Sequence, residues 1–539
     1  MKEKLKILLI MLGITFLISI PYLNFENIFT HDISYHVNRI ISISEELKLG
    51  NFPVLIHSNL LDGFGYANSL FYPELFLYIP AILINLGVEF LTSYKVFTMI
   101  TTFFTVLLTF YSANRIFKNK NISWTITLLY TGAFYRLTDI YTRGAIGEVL
   151  ALVFLPLIIC GLYEIIFGEN KKWWIICFGI FGIINSHVLS FAMTAVLILL
   201  VCLINIIDIF KDKSKLKKLV LAGIVSILLT MSFVLPYLEQ SFNDKFNVDE
   251  KIYNGAFLES YSVSLKELIN NKFNVGDYYK GIGTVLLVLS LFILKCKDKS
   301  SESKFIKQLF WIGIFALFMT TSLFPWELIC NKFNFITTIQ FPYRLNIITT
   351  VIFSFVGGYA INKILENREE LINIVYILVI LSTLNLLSSI NINTENYTKE
   401  MIINSAPVGN GEYKPYGLMQ DDTKVHDIST QTEYEFTQVG SKIEFQYVND
   451  GEKEIKIHVP LTYYKGYEAY IEKVDGKIIE LLVEEDPISK NIIIKSDNID
   501  KIAEGKIVVE YKMTAIQILG YIITLIVLLG TLVYGHFCP

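Results

Sequence analysis

Charge is scarce in this chain of 539 residues. Only 18% of its positions are Asp, Glu, Lys or Arg, against about a quarter in soluble globular proteins, which argues against a water-soluble domain. Neither sign dominates: 46 Lys and Arg stand against 50 Asp and Glu, a formal net charge of -4. That balance lacks the basic excess a phosphate backbone demands, so no nucleic-acid partner is expected. No Cys/His run has the spacing of a zinc site, and no metal ligands are assigned. No small-residue cleavage site follows the N-terminal "MKEKLKILLIMLGITFLISIPYL", where Pro21 and bulky side chains stand instead. The segment is therefore expected to remain as a signal anchor. No internal repeat is visible, which speaks against the duplicated architecture of a transporter or flippase.

What fills the chain is apolar: 53% of residues are hydrophobic and 14% aromatic. Runs of about 20 such residues cross a bilayer as helices. About twelve spans are expected, near 5–23, 94–117, 122–138, 146–168, 172–186, 188–209, 217–238, 281–295, 305–324, 343–365, 371–390 and 514–536. The further run "FYPELFLYIPAILINLGVEFL" (71–91) is read as a helix that lies in or dips into the membrane. With "MKEKLK" inside, the basic loops "RIFKNK" (115–120), "NKK" (170–172), "KDKSKLKK" (211–218), "KCKDKSSESKFIK" (295–307) and "NKILENR" (362–368) all fall inside as well. The expected protein is thus a multi-pass protein of the plasma membrane with both termini in the cytoplasm. Cys160, Cys177, Cys202, Cys296 and Cys538 then lie in spans or inside, and Cys330 stands alone outside, so no disulfide framework is implied.

Three segments follow: a transmembrane domain over 1–390 with its first outer loop at 24–93, an outer domain over 391–513, and a C-terminal anchor over 514–539. The outer domain reads as β. "EYEFTQVGSKIEFQYV", "EKEIKIHVPLTYY", "YEAYIEKVDGKIIELLVEE", "KNIIIKS" and "KIVVEYK" alternate apolar and polar residues, with turn signals at Asp450-Gly451 and Asp475-Gly476. About six to eight short strands, an antiparallel sandwich, are expected.

Ionisable residues collect on the outer side. In "FTHDISYHVNRIISISEELKLGNFP" a helix would place Asp32, His36 and Arg39 at i, i+4 and i+7, on one face. "YTRGAIGEVL" sets Arg143 and Glu148 at the mouth of a span, "INSHVLS" sets His187 at a hairpin tip, and "IQFPYRLN" sets Gln340 and Arg344 beside the helix-starting Pro342. Each has a plainer account: arginines snorkel to headgroups, Glu148 pairs with Arg143, and His187 serves a turn. Together they gather at the face where a positive-inside protein is short of arginine, and such groups at membrane depth usually face a pathway or cavity. Arginine grips phosphate in a bidentate fork, and a carboxylate such as Asp32, with His36 and Glu148 beside it, takes a proton from a hydroxyl. A lipid-linked phosphosugar suits such a site. Arg39, Arg143, His187, Gln340 and Arg344 are then the donor-phosphate ligands. Tyr66, Phe71 and Tyr72 in "LDGFGYANSLFYPEL" offer sugar-stacking faces, or simply anchor the loop at the interface.

The layout of an N-terminal span followed by a large outer loop that opens on an Asp-bearing helix resembles that of GT-C-type glycosyltransferases. More narrowly, "HDISYHVNRI…LKLGNFPVLI…GFGYANSLFYPELFLYIP", "YTRGAIGEVLALVFLPL", "SHVLS", "QFPYRL" and "VPLTYYKGYEAYIEKVDGK" resemble blocks of the bacterial YfhO-like membrane proteins, some of which carry a "6-pyruvoyl-tetrahydropterin synthase-related" label. The pterin label finds no support in these residues. The resemblance implies a transferase that moves a sugar from a polyprenyl phosphate to a cell-envelope glycan or teichoic-acid-like acceptor, with Asp32 as base or metal ligand. The loop departs from the GT-C pattern in having His31 beside Asp32 and no Asp-x-Asp pair, so no cofactor is assigned and a divalent metal stays open. A transporter or flippase and a non-catalytic assembly protein for lipid-linked glycans are the rival readings.

Overall fold

The computed structural model describes residues 2–24, 30–169, 171–250, 253–269, 280–366, 368–390, 398–448, 455–496 and 504–537. Among the described residues, seven helices are long and apolar enough to cross a membrane: Lys2–Leu23, Phe90–Phe117, Ile146–Ile166, Ser301–Thr320, Pro342–Ile364, Glu369–Ser388 and Ala515–Gly535. Several of the twelve expected spans take other forms. The run 217–238 is two helices, Lys213–Leu229 and Met231–Asn243, bent by 65°. The run 122–138 breaks at Gly132 into Lys120–Thr131 and the short helix Phe134–Thr138. Ile175–Ile184, Val188–Ile204 and Thr284–Lys295 are apolar but short. The apolar helix Leu75–Asn85 has only 11 residues, about 16 Å of helix against a hydrocarbon core of about 30 Å, so it is too short to cross.

Helix Ile146–Ile166 is the axis of the bundle and is buried along almost its whole length. Small residues allow its neighbour Ile175–Ile184 to come close: a Cβ on Gly182 would stand 2.2 Å from Phe154, and one on Gly161 2.6 Å from Ile176. Glu148 marks one end of the axis. Near the other end Glu164 accepts a 2.6 Å bond from Arg115, about 24 Å further along. The basic loops gather at that second end, where Lys304 pairs with Asp208 at 3.1 Å and the Tyr359 hydroxyl bonds Asp298.

After the first long helix, Ile33–Lys48 forms because Ile33, Val37, Ile40 and Ile43 recur at helical spacing, and all four are buried. Gly50 follows with φ +87° and ends it. The chain then loops through 51–77 before the bundle resumes.

Among the described residues the β unit has nine strands: β1 Val425–Asp427, β2 Glu433–Tyr434, β3 Phe436–Val439, β4 Lys442–Val448, β5 Ile455–Thr462, β6 Tyr467–Lys473, β7 Ile478–Glu485, β8 Asn491–Ser496 and β9 Glu504–Tyr511. They form one antiparallel sheet in the order β2-β1-β5-β8-β7-β6-β9-β4-β3. Its ends approach each other, with Tyr434 of β2 packed on Phe445 and Tyr447 of β4. The expected sandwich is therefore a single sheet rolled on itself, nearly a barrel, and it gains strands where β1 and β2 are too short to show alternation. The turn at Asp475-Gly476 joins β6 to β7 as expected, while Asp450-Gly451 lies outside the described residues. The sheet's core continues into the 51–77 loop: Leu55, Ile56, Ala67, Leu70 and Phe71 share it with Val459, Leu461 and Tyr464.

Candidate active site

The site is built where the axial helix begins. Phe134–Thr138 runs into a single π-turn over Asp139–Arg143, and Gly144 (φ +64°) reverses the chain into Ile146–Ile166. Such π-turns recur at functional sites because they re-aim side chains. Here the turn brings Arg143 back over Glu148. Arg143 Nη1 donates to Asp139 Oδ1 at 2.6 Å and to Glu148 Oε2 at 2.9 Å, and Nη2 donates to Glu148 Oε1 at 2.8 Å. Arg344 Nε reaches the same Oε1 at 3.0 Å from the far side, and the Tyr135 hydroxyl donates to Oε2 at 2.7 Å. Glu148 is 2% exposed and its two oxygens take four donors. It is a clamp for two guanidiniums, not a free base.

Arg344 is the more accessible of the two arginines. Its Nη1 bonds the Ile339 carbonyl at 3.3 Å and the Gln340 side-chain oxygen. Its Nη2 has no hydrogen bond from a described residue. Gln340 thus acts on Arg344, holding the guanidinium in plane.

Asp32 is brought to this cluster by backbone. Its N–H donates to the Arg143 carbonyl at 2.8 Å, and the His31 N–H to the Thr142 carbonyl at 3.3 Å. Gly144 makes that approach possible, since a Cβ there would lie 2.0 Å from Thr30 Oγ1 and 3.6 Å from the Ile33 N. Asp32 precedes helix Ile33–Lys48 without capping it by its side chain. Burial raises its carboxyl above the ordinary 3.8, against the pull of Arg143 and Arg344. Unlike Asp139 and Glu148, it makes no ion pair with a described cation. His187 caps Val188–Ile204 by accepting the Ser190 N–H at Nδ1 (3.3 Å), so the neutral ring carries its proton on Nε2. A Cβ on Gly147 would stand 2.3 Å from the Tyr72 hydroxyl and 3.3 Å from His187 Cδ2. The two glycines of "RGAIGE" therefore admit Asp32's turn on one side and Tyr72 with His187 on the other.

The structure brings Asp32, Arg143, Glu148, His187, Gln340, Arg344 and Tyr72 to one region. His36 lies behind them. Its Nδ1 faces Arg39 Nη1 at 3.1 Å, and burial, with Arg39 next, holds its pKa well below the ordinary 6.5. Arg39, expected to bind phosphate, is instead engaged through every nitrogen. Nε donates to Glu74 at 2.7 Å, Nη2 to the Pro73 carbonyl at 2.9 Å, and the guanidinium lies 4.3 Å over the Tyr72 ring. The reason is Glu74, a carboxylate inside an apolar run. Arg39 and Asn68 each donate to it at 2.7 Å, His57 Nε2 bonds it at 3.0 Å, and the Ser69 hydroxyl bonds it too. Burial alone would raise the Glu74 carboxyl, but His57 and Arg39 hold it at about 2. Tyr66 and Phe71 offer no free faces: Tyr66 is fully buried with its hydroxyl taking the Tyr413 N–H at 3.0 Å, and Phe71 stacks on Tyr413 at 5.2 Å. Glu74, Tyr135 and Asp139 escape sequence reasoning. The one visible signal for them is a charge or hydroxyl standing in an apolar or span-edge segment.

No family model matches the chain. A protein of Lactococcus lactis subsp. cremoris (strain MG1363), described as "Uncharacterized protein", is 24% identical over 345 residues, which take in 60% of this chain and 55% of the relative. The match thus spans about half of that relative's length. Among solved structures, the cryo-EM structure of the arabinofuranosyltransferase AftD from Mycobacteria overlaps 73% of this chain and 28% of its own, with a TM-score of 0.42 and 12% identity.

Proposed function

We propose that the protein is a membrane glycosyltransferase that moves a sugar from a polyprenyl-phosphate donor to a cell-envelope acceptor. The observation that carries this reading is the division of labour among three carboxylates. Glu148 and Asp139 are bound to arginine, whereas Asp32 stands beside the same arginines without an ion pair among the described residues. Asp32 takes the proton from an acceptor hydroxyl, which attacks the anomeric carbon with inversion. The lipid phosphate leaves against Arg344, whose Nη2 is not taken up by a described residue, with Arg143 behind it and the Nε2–H of His187 at hand. A phosphate leaves as a stable anion, so positive charge suffices where a strong acid would otherwise be needed. Glu148, Gln340 and Asp139 position the two guanidiniums, and Arg39 and His36 support the loop beneath Tyr72.

The cluster at one end of the bundle and the basic loops at the other support an outward-facing site in the plasma membrane, with both termini inside. In this reading residues 1–390 hold donor and site, the outer domain over 391–513 receives the acceptor glycan, and 514–539 anchors it. The polyprenyl chain lies in the bilayer beside the bundle. The test uses purified protein in detergent with radiolabelled undecaprenyl-phosphate sugars and a cell-wall acceptor, comparing wild type with Asp32→Asn. Turnover by wild type alone supports the reading. Equal turnover by both moves the base elsewhere. Donor binding without turnover favours a flippase, and no donor binding favours an assembly protein.

A further inference from the structure

A second cluster of ligating side chains lies in the β unit and shares no residue with the site above. β1 pairs antiparallel with β5 so that His426 stands opposite His458, which puts both imidazoles on one face, ring centres 5.1 Å apart. Asp422 precedes β1 and is fixed by its own backbone: its Oδ1 accepts the Lys424 N–H at 3.1 Å. That bond turns Oδ2 toward both rings, 3.5 Å from His426 Nδ1 and 3.8 Å from His458 Nδ1. The Lys424 carbonyl oxygen is 3.0 Å from His458 Nδ1.

These spacings discriminate between two arrangements. Direct hydrogen bonds between carboxylate and imidazole would close to about 2.7–3.0 Å. Ligands on one tetrahedral cation with bonds of about 2.0–2.1 Å stand about 3.3–3.4 Å apart. The Asp422–His426 and Asp422–His458 gaps, at 3.5 and 3.8 Å, suit the second. His458 is buried. Asp422 is half exposed and opens the cluster to solvent.

We propose that Asp422 Oδ2, His426 Nδ1 and His458 Nδ1 bind a zinc-class divalent metal, with the Lys424 carbonyl oxygen or a water as fourth ligand. The metal would pin β1, only three residues long, to β5 and so hold the edge of the rolled sheet. Without metal, the His458 Nδ1–H bonds the Lys424 carbonyl and Nε2 accepts from Asn491 Nδ2 at 3.3 Å. With metal on Nδ1 the ring proton moves to Nε2. That Nε2–H then faces Asn491 Nδ2, which also donates to the Met419 carbonyl at 3.2 Å, so the bond between the two side chains is given up when metal binds.

The experiment takes the full chain in detergent, tag removed and stripped with chelator, and titrates it with Co²⁺ as a visible probe for zinc. One Co²⁺ per chain is expected, with the intense absorption of a four-coordinate nitrogen and oxygen site and no thiolate band. His426→Ala should abolish it, and Asp422→Asn should weaken it by about tenfold or more. Zinc should raise the unfolding temperature of wild type and not of His426→Ala. A wild type that binds no cobalt, or shows six-coordinate or thiolate spectra, overturns the proposal whatever the variants do. So does a folded His426→Ala that binds as tightly as wild type.

Discussion

Two carboxylates of the candidate site differ in what holds them, and the difference sets what each substitution should do. Glu148 bonds two arginines and a tyrosine, so Glu148→Gln leaves two buried guanidiniums under-compensated. Breaking a buried pair from one side costs about 3–5 kcal/mol. Thermal unfolding in detergent should therefore fall clearly, with donor binding lost along with the arginine geometry. Asp32 has no such partner among the described residues, so Asp32→Asn should leave the unfolding temperature and donor binding nearly unchanged while turnover falls about 10²–10⁴-fold. The acid limb of the wild-type pH–rate profile should sit above the ordinary aspartate value of 3.8, because burial raises Asp32 and the base works only when ionised. A limb at or below that value in steady-state rates would separate Asp32 from the proton transfer. Glu74 titrates in the opposite sense. Its carboxyl is held at about 2 against an ordinary 4.5, so its contribution, about 3 kcal/mol, is present above about pH 4.5 and lost as pH falls toward 2. The stability gap between wild type and Glu74→Gln, followed by denaturant titration, should narrow over that interval.

At the scale of elements, the glycines of "RGAIGE" decide whether the site assembles. Gly144 has φ +64° and touches Thr30, so Gly144→Ala must push the Asp32 turn off the Arg143 carbonyl. Gly147→Ala meets first the end of Tyr72 and then the Ser186–His187 corner, and should lower turnover with little loss of stability. Gly223→Ala has nothing within 4 Å and should be neutral or slightly stabilising. Activity and melting of the three proteins side by side would test that order. The same stretch explains what could be read in advance. Arg143, Glu148 and Asp32 were legible because ionisable groups at span mouths have few uses. The helical face of Asp32, His36 and Arg39 was legible too, but not the direction in which Arg39 turns. That is fixed by Glu74, 35 positions on, whose neighbours in sequence are apolar and give no period. The bend at Thr230 and the break at Gly132 likewise leave no mark in hydropathy, which measures length of apolar chain and not its straightness.

At the scale of the whole molecule, the loop that carries Tyr72 and Glu74 is held from the far side by the β unit. Phe71 packs between Tyr413 and Phe246, with ring centres 5.2 and 4.4 Å away, and the Thr462 N–H of β5 donates to the Phe64 carbonyl at 2.8 Å. The covering residues lie more than 170 positions from Phe71, so sequence alone could present it only as a free aromatic face. Gln240 and Lys465 exchange bonds at 2.7 and 3.1 Å, and Thr514 bonds Glu239 at 2.6 Å, so the bent helix Met231–Asn243 ties into the same joint. If the protein is the transferase proposed above, a β unit that also fixes the donor site makes a specific demand: damage to the joint should appear as lost catalysis. Phe71→Ala removes an aromatic ring from a packed core, at a cost of about 3–5 kcal/mol, and loosens the residue next to Tyr72. If the joint positions the site, turnover should drop at temperatures where the variant stays folded, with hydrogen exchange rising through 54–77 and unchanged in Ile146–Ile166. If instead the β unit serves only to dock a partner, Phe71→Ala should lose stability while the remaining folded protein turns over at the wild-type rate. Activity per folded molecule, measured below the variant's unfolding temperature, decides between them.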